Sequence, residues 1–179
     1  MNAGELLTHS LSPDHATRQA AEQALEAAAR DSYPMYMTSL SSEMASEAAL
    51  VHIRTASGLA LKNALVARAA RRAQDYADRW TALSAEARDQ VKSKVLMTLS
   101  SSEPRAGTVA AQVTAAIAAI ELPRGMWPDL VSQLLAAIGD LHNPCQRQAA
   151  LQAIGFTCEV VDPAVLAAQS NEILTAVIQ

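Results

Sequence analysis

Aromatic rings, turn-formers and charge are all scarce in this sequence. Six aromatic residues (Tyr33, Tyr36, Tyr76, Trp80, Trp127 and Phe156) serve 179 positions, too few for a protein built on ring-rich strands. Only 6 Gly and 7 Pro interrupt the chain. No apolar run reaches the roughly 18 residues a membrane span needs; the longest, Val109 to Ile120, is broken by Gln112 and Thr114. This argues against a transmembrane protein. The first eleven residues carry Glu5 and no Lys or Arg, which fits neither a secretory signal nor a transit peptide, so a cytosolic or nuclear setting is expected. Of the two cysteines, Cys145 and Cys158 stand 13 positions apart in one expected helix. That is about 20 Å along its axis, beyond disulfide reach, and both read as reduced, inert core thiols.

Alanine fills the space these absences leave. It occurs 38 times, and it is the residue that loses least on entering a helix. With 50% hydrophobic residues and a net charge of only -4, the chain has enough apolar surface to offset its conformational entropy and fold. An all-α protein is expected.

Helices are expected over Ala3 to Ser10, then from Ser12-Pro13-Asp14, with Ser12 as cap and Ala16, Ala20, Ala21, Ala24, Leu25 and Ala28 on the apolar face. The next run from Tyr33 to about Ser42, and from Ser46 or Glu47 to about Arg68. Further helices open at Ser84, Pro104, Trp127, Pro144 and Ser170, and Ala69 to Leu83 reads as a connector. The starts at Ser84, Trp127 and Ser170 are spaced by 43 and 43, and those at Pro104 and Pro144 by 40. Two-helix units of that period mark HEAT or armadillo arrays, whereas a tetratricopeptide array would repeat at about 34. The expected architecture is a right-handed α-solenoid of HEAT repeats over residues 1–179. It forms a single array of about four antiparallel helix pairs plus the opening helix of a fifth, each pair burying its stripe against its neighbours. The last helix reaches Gln179 with no cap, so the sequence reads as a piece of a longer array, with Leu174, Val177 and Ile178 exposed.

No His, Cys or carboxylate cluster has metal-ligand spacing, and phosphate loop, Ser elbow and C-x-x-C are all missing, so neither an enzyme nor a bound cofactor or metal is expected. One charge pattern stands out. Between Ala48 and Gln74 there is no acid, while Arg54, Lys62, Arg68, Arg71 and Arg72 are present. On one continuous helix Arg54, Lys62, Arg68 and Arg72 would share an arc of roughly 120°. Such a face is either a solvated surface with snorkelling side chains or a docking surface for an acidic protein. Nucleic acid is not expected, because the chain is acidic overall and no aromatics interleave the basic residues. Trp80 and Trp127 read as gap-filling core residues.

Five strings in order resemble the importin-β family of nuclear import karyopherins, and its fungal members in particular. They are Leu59-Ala-Leu-Lys-Asn-Ala-Leu65, Asp78-Arg-Trp80, Glu121-Leu-Pro-Arg-Gly-Met-Trp-Pro-Asp-Leu130, Ala153-Ile-Gly-Phe-Thr-Cys-Glu159 with Asp162-Pro163, and Ser170-Asn-Glu-Ile-Leu-Thr-Ala-Val-Ile-Gln179. The resemblance implies a Ran-GTP-binding surface on the inner B helices of the first repeats. Lys62 and Asn63 stand in the L-K-N motif of the second B helix, and Arg54 and Arg68 lie on the same basic stretch. It also implies half of a pocket for Phe-Gly nucleoporins on the fifth A helix, at Ile178. Importin-α and cargo would be held by later repeats outside this sequence. The implied setting is the cytoplasm, the nucleus, and the nuclear pore and envelope between them. A HEAT scaffold for another acidic partner is the competing reading.

Overall fold

The computed structural model describes residues 3–67, 69–167 and 170–178, and among them every regular element is a helix. The chain forms two compact units, Met1–Val95 and Leu96–Gln179.

The first unit holds α1 (Ala3–Ser10), α2 (His15–Asp31), α3 (Tyr33–Ala45), α4 (Val51–Asn63), α5 (Ala70–Thr81) and most of α6 (Ala85–Leu99). Helix α2 starts later than expected. Asp14, not Ser12, is its cap: the carboxylate accepts from the Thr17 amide at 2.8 Å. That hydrogen bond also holds the Asp14 carboxyl below its ordinary pKa. Ser12 instead accepts from the Asp14 amide, bracing the turn in front of the helix. Helices α3 and α4 pack on each other through Met37, Leu40 and Met44 on one side and Ile53, Ser57 and Leu61 on the other.

Two expected boundaries fail here. The helix expected from Ser46 to Arg68 is only Val51–Asn63. At its front, residues 46–50 are drawn into a turn closed by the Ala49 amide on the Ser46 carbonyl. At its end no Gly or Pro intervenes. Instead the buried Leu65 turns the chain inward, and the Leu65 and Val66 amides both fold back onto the Lys62 carbonyl at 2.9 and 3.0 Å. Tertiary burial overrides a favourable local propensity. The expected connector over 69–83 is a helix, α5, which buries Ala77 and Trp80 and exposes Arg71 and Arg72.

The second unit is organised around α7 (Pro104–Glu121). A 3-10 turn (Leu122–Arg124) follows, then α8 (Leu130–Gly139), α9 (Pro144–Val160), α10 (Pro163–Leu166) and α11 (Ser170–Ile178). Three of these helices open alike, with proline at the first helical position and a side-chain cap before it. Glu103 accepts from Arg105, Asn143 from Gln146 and Asp162 from Ala164. Helix α7 is apolar all round, with Val109, Val113, Ile117 and their alanine neighbours buried, the pattern of a helix enclosed on every side. Its closest partner is α9, which meets it with Ala149, Ala150 and Ala153. A Cβ added to Gly107 would lie 3.2 Å from Ala149 Cβ, so the two backbones approach through small residues.

The segment Pro104–Arg124 is, by length and composition, apolar enough to cross a membrane. The sequence reading passed over it because Gln112 and Thr114 interrupt the run. The structure gives it another use: 72% of its most apolar window is buried inside the protein, with Thr114 satisfied by donating to the Ala110 carbonyl. Trp80 and Trp127 are core, as expected. The cysteines are not: Cys145 is half-buried and Cys158 exposed on α9, both free thiols. Partial burial still pushes the Cys158 thiol up from its ordinary pKa.

Candidate protein-docking site

The basic stretch does not form one face. Arg54 is 1% exposed, and its guanidinium is fully committed. Nε donates to the Met44 carbonyl at 2.9 Å, and the two terminal nitrogens donate to the two Glu47 oxygens at 2.9 Å each. It satisfies one of the last carbonyls of α3, which have no partner within their own helix, and pins the loop that enters α4. It is therefore removed from the expected docking surface, because a buried, doubly bonded guanidinium has nothing left to offer a partner. Arg71 and Arg72 are exposed on α5, a separate helix, so the arc that required helical continuity to Arg72 does not exist. Arg68 lies outside the described residues.

Lys62 and Asn63 are the final two residues of α4, the first half-buried and the second exposed. This is the negative end of the helix dipole, where a cation is favoured. The backbone beneath them is tightly closed. The Ala64 amide reaches the Ala60 and Leu61 carbonyls at 3.0 and 3.2 Å, and the Ala64 carbonyl accepts from the Tyr33 hydroxyl at 3.3 Å.

Tyr33 is the first residue of α3 and is buried. The Arg79 guanidinium, from α5, lies 4.1 Å over its ring centroid, a cation–π contact. Arg79 also donates to the Arg30 carbonyl at 3.2 Å and to the Ala29 carbonyl, closing the end of α2. Burial pushes the Tyr33 hydroxyl up to about 12, so it remains a hydrogen-bond donor throughout the neutral range. Sequence reasoning missed this pair: Tyr33 and Ala64 are 31 positions apart, and Arg79 falls beyond the acid-free stretch. The one local hint was Tyr33-Pro34, a ring beside the proline that opens α3.

Ile178 is 83% exposed near the end of α11. That helix packs on α8 and buries Ile173, leaving Leu174 and Ile178 facing out; the Val177 side chain lies outside the described residues. An open groove of about 710 Å³ lies along α3 and α6, lined by Thr38, Ser41, Ser42, Glu86, Asp89 and Lys94 among others. Among the described residues no three His, Cys, Asp or Glu side chains gather as metal ligands would.

Residues 21–101 match the family model of the importin-beta N-terminal domain. The chain is 50% identical over 178 residues to importin subunit beta-1 of Schizosaccharomyces pombe, covering 99% of this chain and 21% of that protein. Among solved structures it is similar to importin beta crystallised from ammonium sulfate, at TM-score 0.94 and 44% identity over 99% of this chain. Two further similarities are to yeast Kap95p in complexes, both at 36% identity. One is the complex in which Kap95p binding induces the switch loops of RanGDP to adopt the GTP-bound conformation, at TM-score 0.87 over 90% of this chain. The other is the Kap95:Nup1 complex, at 0.90 over 97%. In each case the chain spans about a fifth of the other protein's length. The all-α HEAT-repeat fold read from the helix spacing is the fold of these structures. On the matched N-terminal domain, the identity along the whole sequence and the agreement of fold, the chain belongs to the importin-β family.

Proposed function

We propose that this chain is the Ran-GTP-binding amino-terminal region of a nuclear import receptor, forming one HEAT array over 1–179 of four helix pairs and the first helix of a fifth. On this reading it works in the cytoplasm, the nucleus and the pore between them, and acts by docking proteins rather than by catalysis. The observation that carries the reading is the end of α4. Once Arg54 is spent inside, Lys62 and Asn63 are the polar groups that the L-K-N motif leaves at the surface, on a chain similar along 90% of its length to Kap95p bound to Ran. In that complex RanGDP takes up GTP-like switch loops. A surface complementary to that loop geometry binds Ran-GTP without rearranging it and binds RanGDP only after the rearrangement, so the GTP form is held more tightly.

A smaller role follows from α11. Leu174 and Ile178 present apolar surface beside α8, which supports one wall of a nucleoporin Phe-Gly pocket, in keeping with the Nup1 complex of Kap95.

The test is a pull-down of Ran loaded with GTP or GDP by the chain and by Lys62→Glu, at two salt concentrations, with a thermal melt as folding control. Preference for the GTP form, weakened in a folded Lys62→Glu, is the expected result. Equal capture of both nucleotide forms would favour a generic scaffold for an acidic partner instead.

A further inference from the structure

Four helices converge on one side chain at the base of the proposed docking end. Tyr33 opens α3. Its hydroxyl donates to the Ala64 carbonyl at the close of α4, and its ring lies beneath the α5 guanidinium of Arg79. That guanidinium is itself fixed on the last carbonyls of α2. The phenol therefore bonds to the turn that carries Lys62 and Asn63, while its ring is clamped on the opposite side. At that turn the Leu65 and Val66 amides both fold back onto the Lys62 carbonyl, and the Ala64 carbonyl accepts from the Tyr33 hydroxyl.

We infer that Tyr33, clamped beneath Arg79, is a positioning residue that holds the Lys62–Asn63 end of α4 in its binding geometry for the Ran switch surface. The inference rests on the Ran-binding reading above. A buried, neutral phenol gives a fixed, directional tether where a solvated carbonyl would leave the last turn free to fray. Binding to an already ordered turn avoids the cost of ordering it on contact. Arg79 adds stiffness, because its hydrogen bonds on α2 hold the cation over the ring.

Tyr33→Phe removes the hydroxyl and keeps the ring, its volume and the Arg79 contact, so the fold is retained. Two measurements on the whole chain then decide. In amide hydrogen exchange without partner, Tyr33→Phe speeds exchange at Ala64, Leu65 and Val66 by about 3- to 10-fold, the size of one hydrogen bond, and leaves α7 amides unchanged. In a binding cycle with Ran-GTP, Tyr33→Phe weakens affinity by about 3- to 10-fold in the parent but much less in a Lys62→Ala background, because the group being positioned is gone.

Unchanged exchange at residues 64–66 overturns the inference. So does Tyr33→Phe binding as tightly as the parent, or losing the same factor in both backgrounds, provided Lys62→Ala itself weakens binding. If Lys62→Ala leaves Ran-GTP binding intact, what fails is the reading of the site, and the assignment of Tyr33 to that partner falls with it.

Discussion

The α3–α4 pair and the α7–α9 pair solve the same packing problem by different means. Between α7 and α9 the contact is made of methyl groups: Ala149, Ala150 and Ala153 meet a helix whose own lining is alanine, valine and isoleucine, close enough that Gly107 has room for little more than hydrogen. Between α3 and α4 the apolar contact is supplemented by Arg54, which reaches out of one helix to finish the end of the other. The device recurs. Arg79 closes α2, Arg88 of α6 donates to the carbonyls of Thr81, the last residue of α5, and of Leu83 just beyond it, and Arg124 donates to the Ile120 carbonyl near the end of α7. Arginine suits this use because its planar fork satisfies two acceptors at once and keeps its charge. Cations are therefore structural parts in both units, and a count of basic residues overstates what is available to a partner.

Substitutions of graded severity separate the two modes. The largest loss is expected from Ile117→Ala in the apolar pair, where nothing polar can relax into the gap: about 3 to 5 kcal/mol, read as a lowered denaturation midpoint. Arg54→Ala is next, at about 2 to 3 kcal/mol. Its partner Glu47 has a side chain 59% exposed and is rehydrated rather than stranded, so the loss falls below that of a fully buried pair. If Arg54→Ala proves neutral, arginine closure is ornamental and the contrast between the pairs disappears. Lys62→Glu should cost only about 0.3 to 1 kcal/mol of stability, because an anion replaces the cation favoured at the end of α4, while weakening Ran-GTP capture and changing its salt dependence.

A further effect is confined to alkaline pH. The folded Tyr33 hydroxyl holds its proton to about 12 against an ordinary 10.0. As pH rises past 10 the unfolded chain releases this proton and the folded one does not, so the stability tied to it is complete below about 10 and drains away toward 12. Tyr33→Phe should lose less stability than the parent over that window in parallel urea titrations.

The helix spacing, the proline-opened starts and the buried tryptophans were legible because each is local: a cap, a fixed φ, a period. The end of α4 was not, since nothing between Lys62 and Ala69 forbids a helix, and it is the burial of Leu65 that stops it. Helix α5 was missed because it is polar overall and opens at Ala69 without a side-chain cap, so no start signal marks it although its few apolar residues share one face. At the candidate site the sequence identified Lys62 and Asn63 by motif. It could not separate them from Arg54, whose withdrawal depends on a loop folding back seven positions to bring Glu47 alongside.

The apolar segment Pro104–Arg124 carries a consequence for how the chain is made. Synthesis delivers it well before α9, its main cover, is complete at Val160. At about 5 to 20 residues per second this apolar stretch waits on the order of several seconds for its lid. During that interval its apolar surface is uncovered, so the time taken to supply α9 bears on the chance of aggregation.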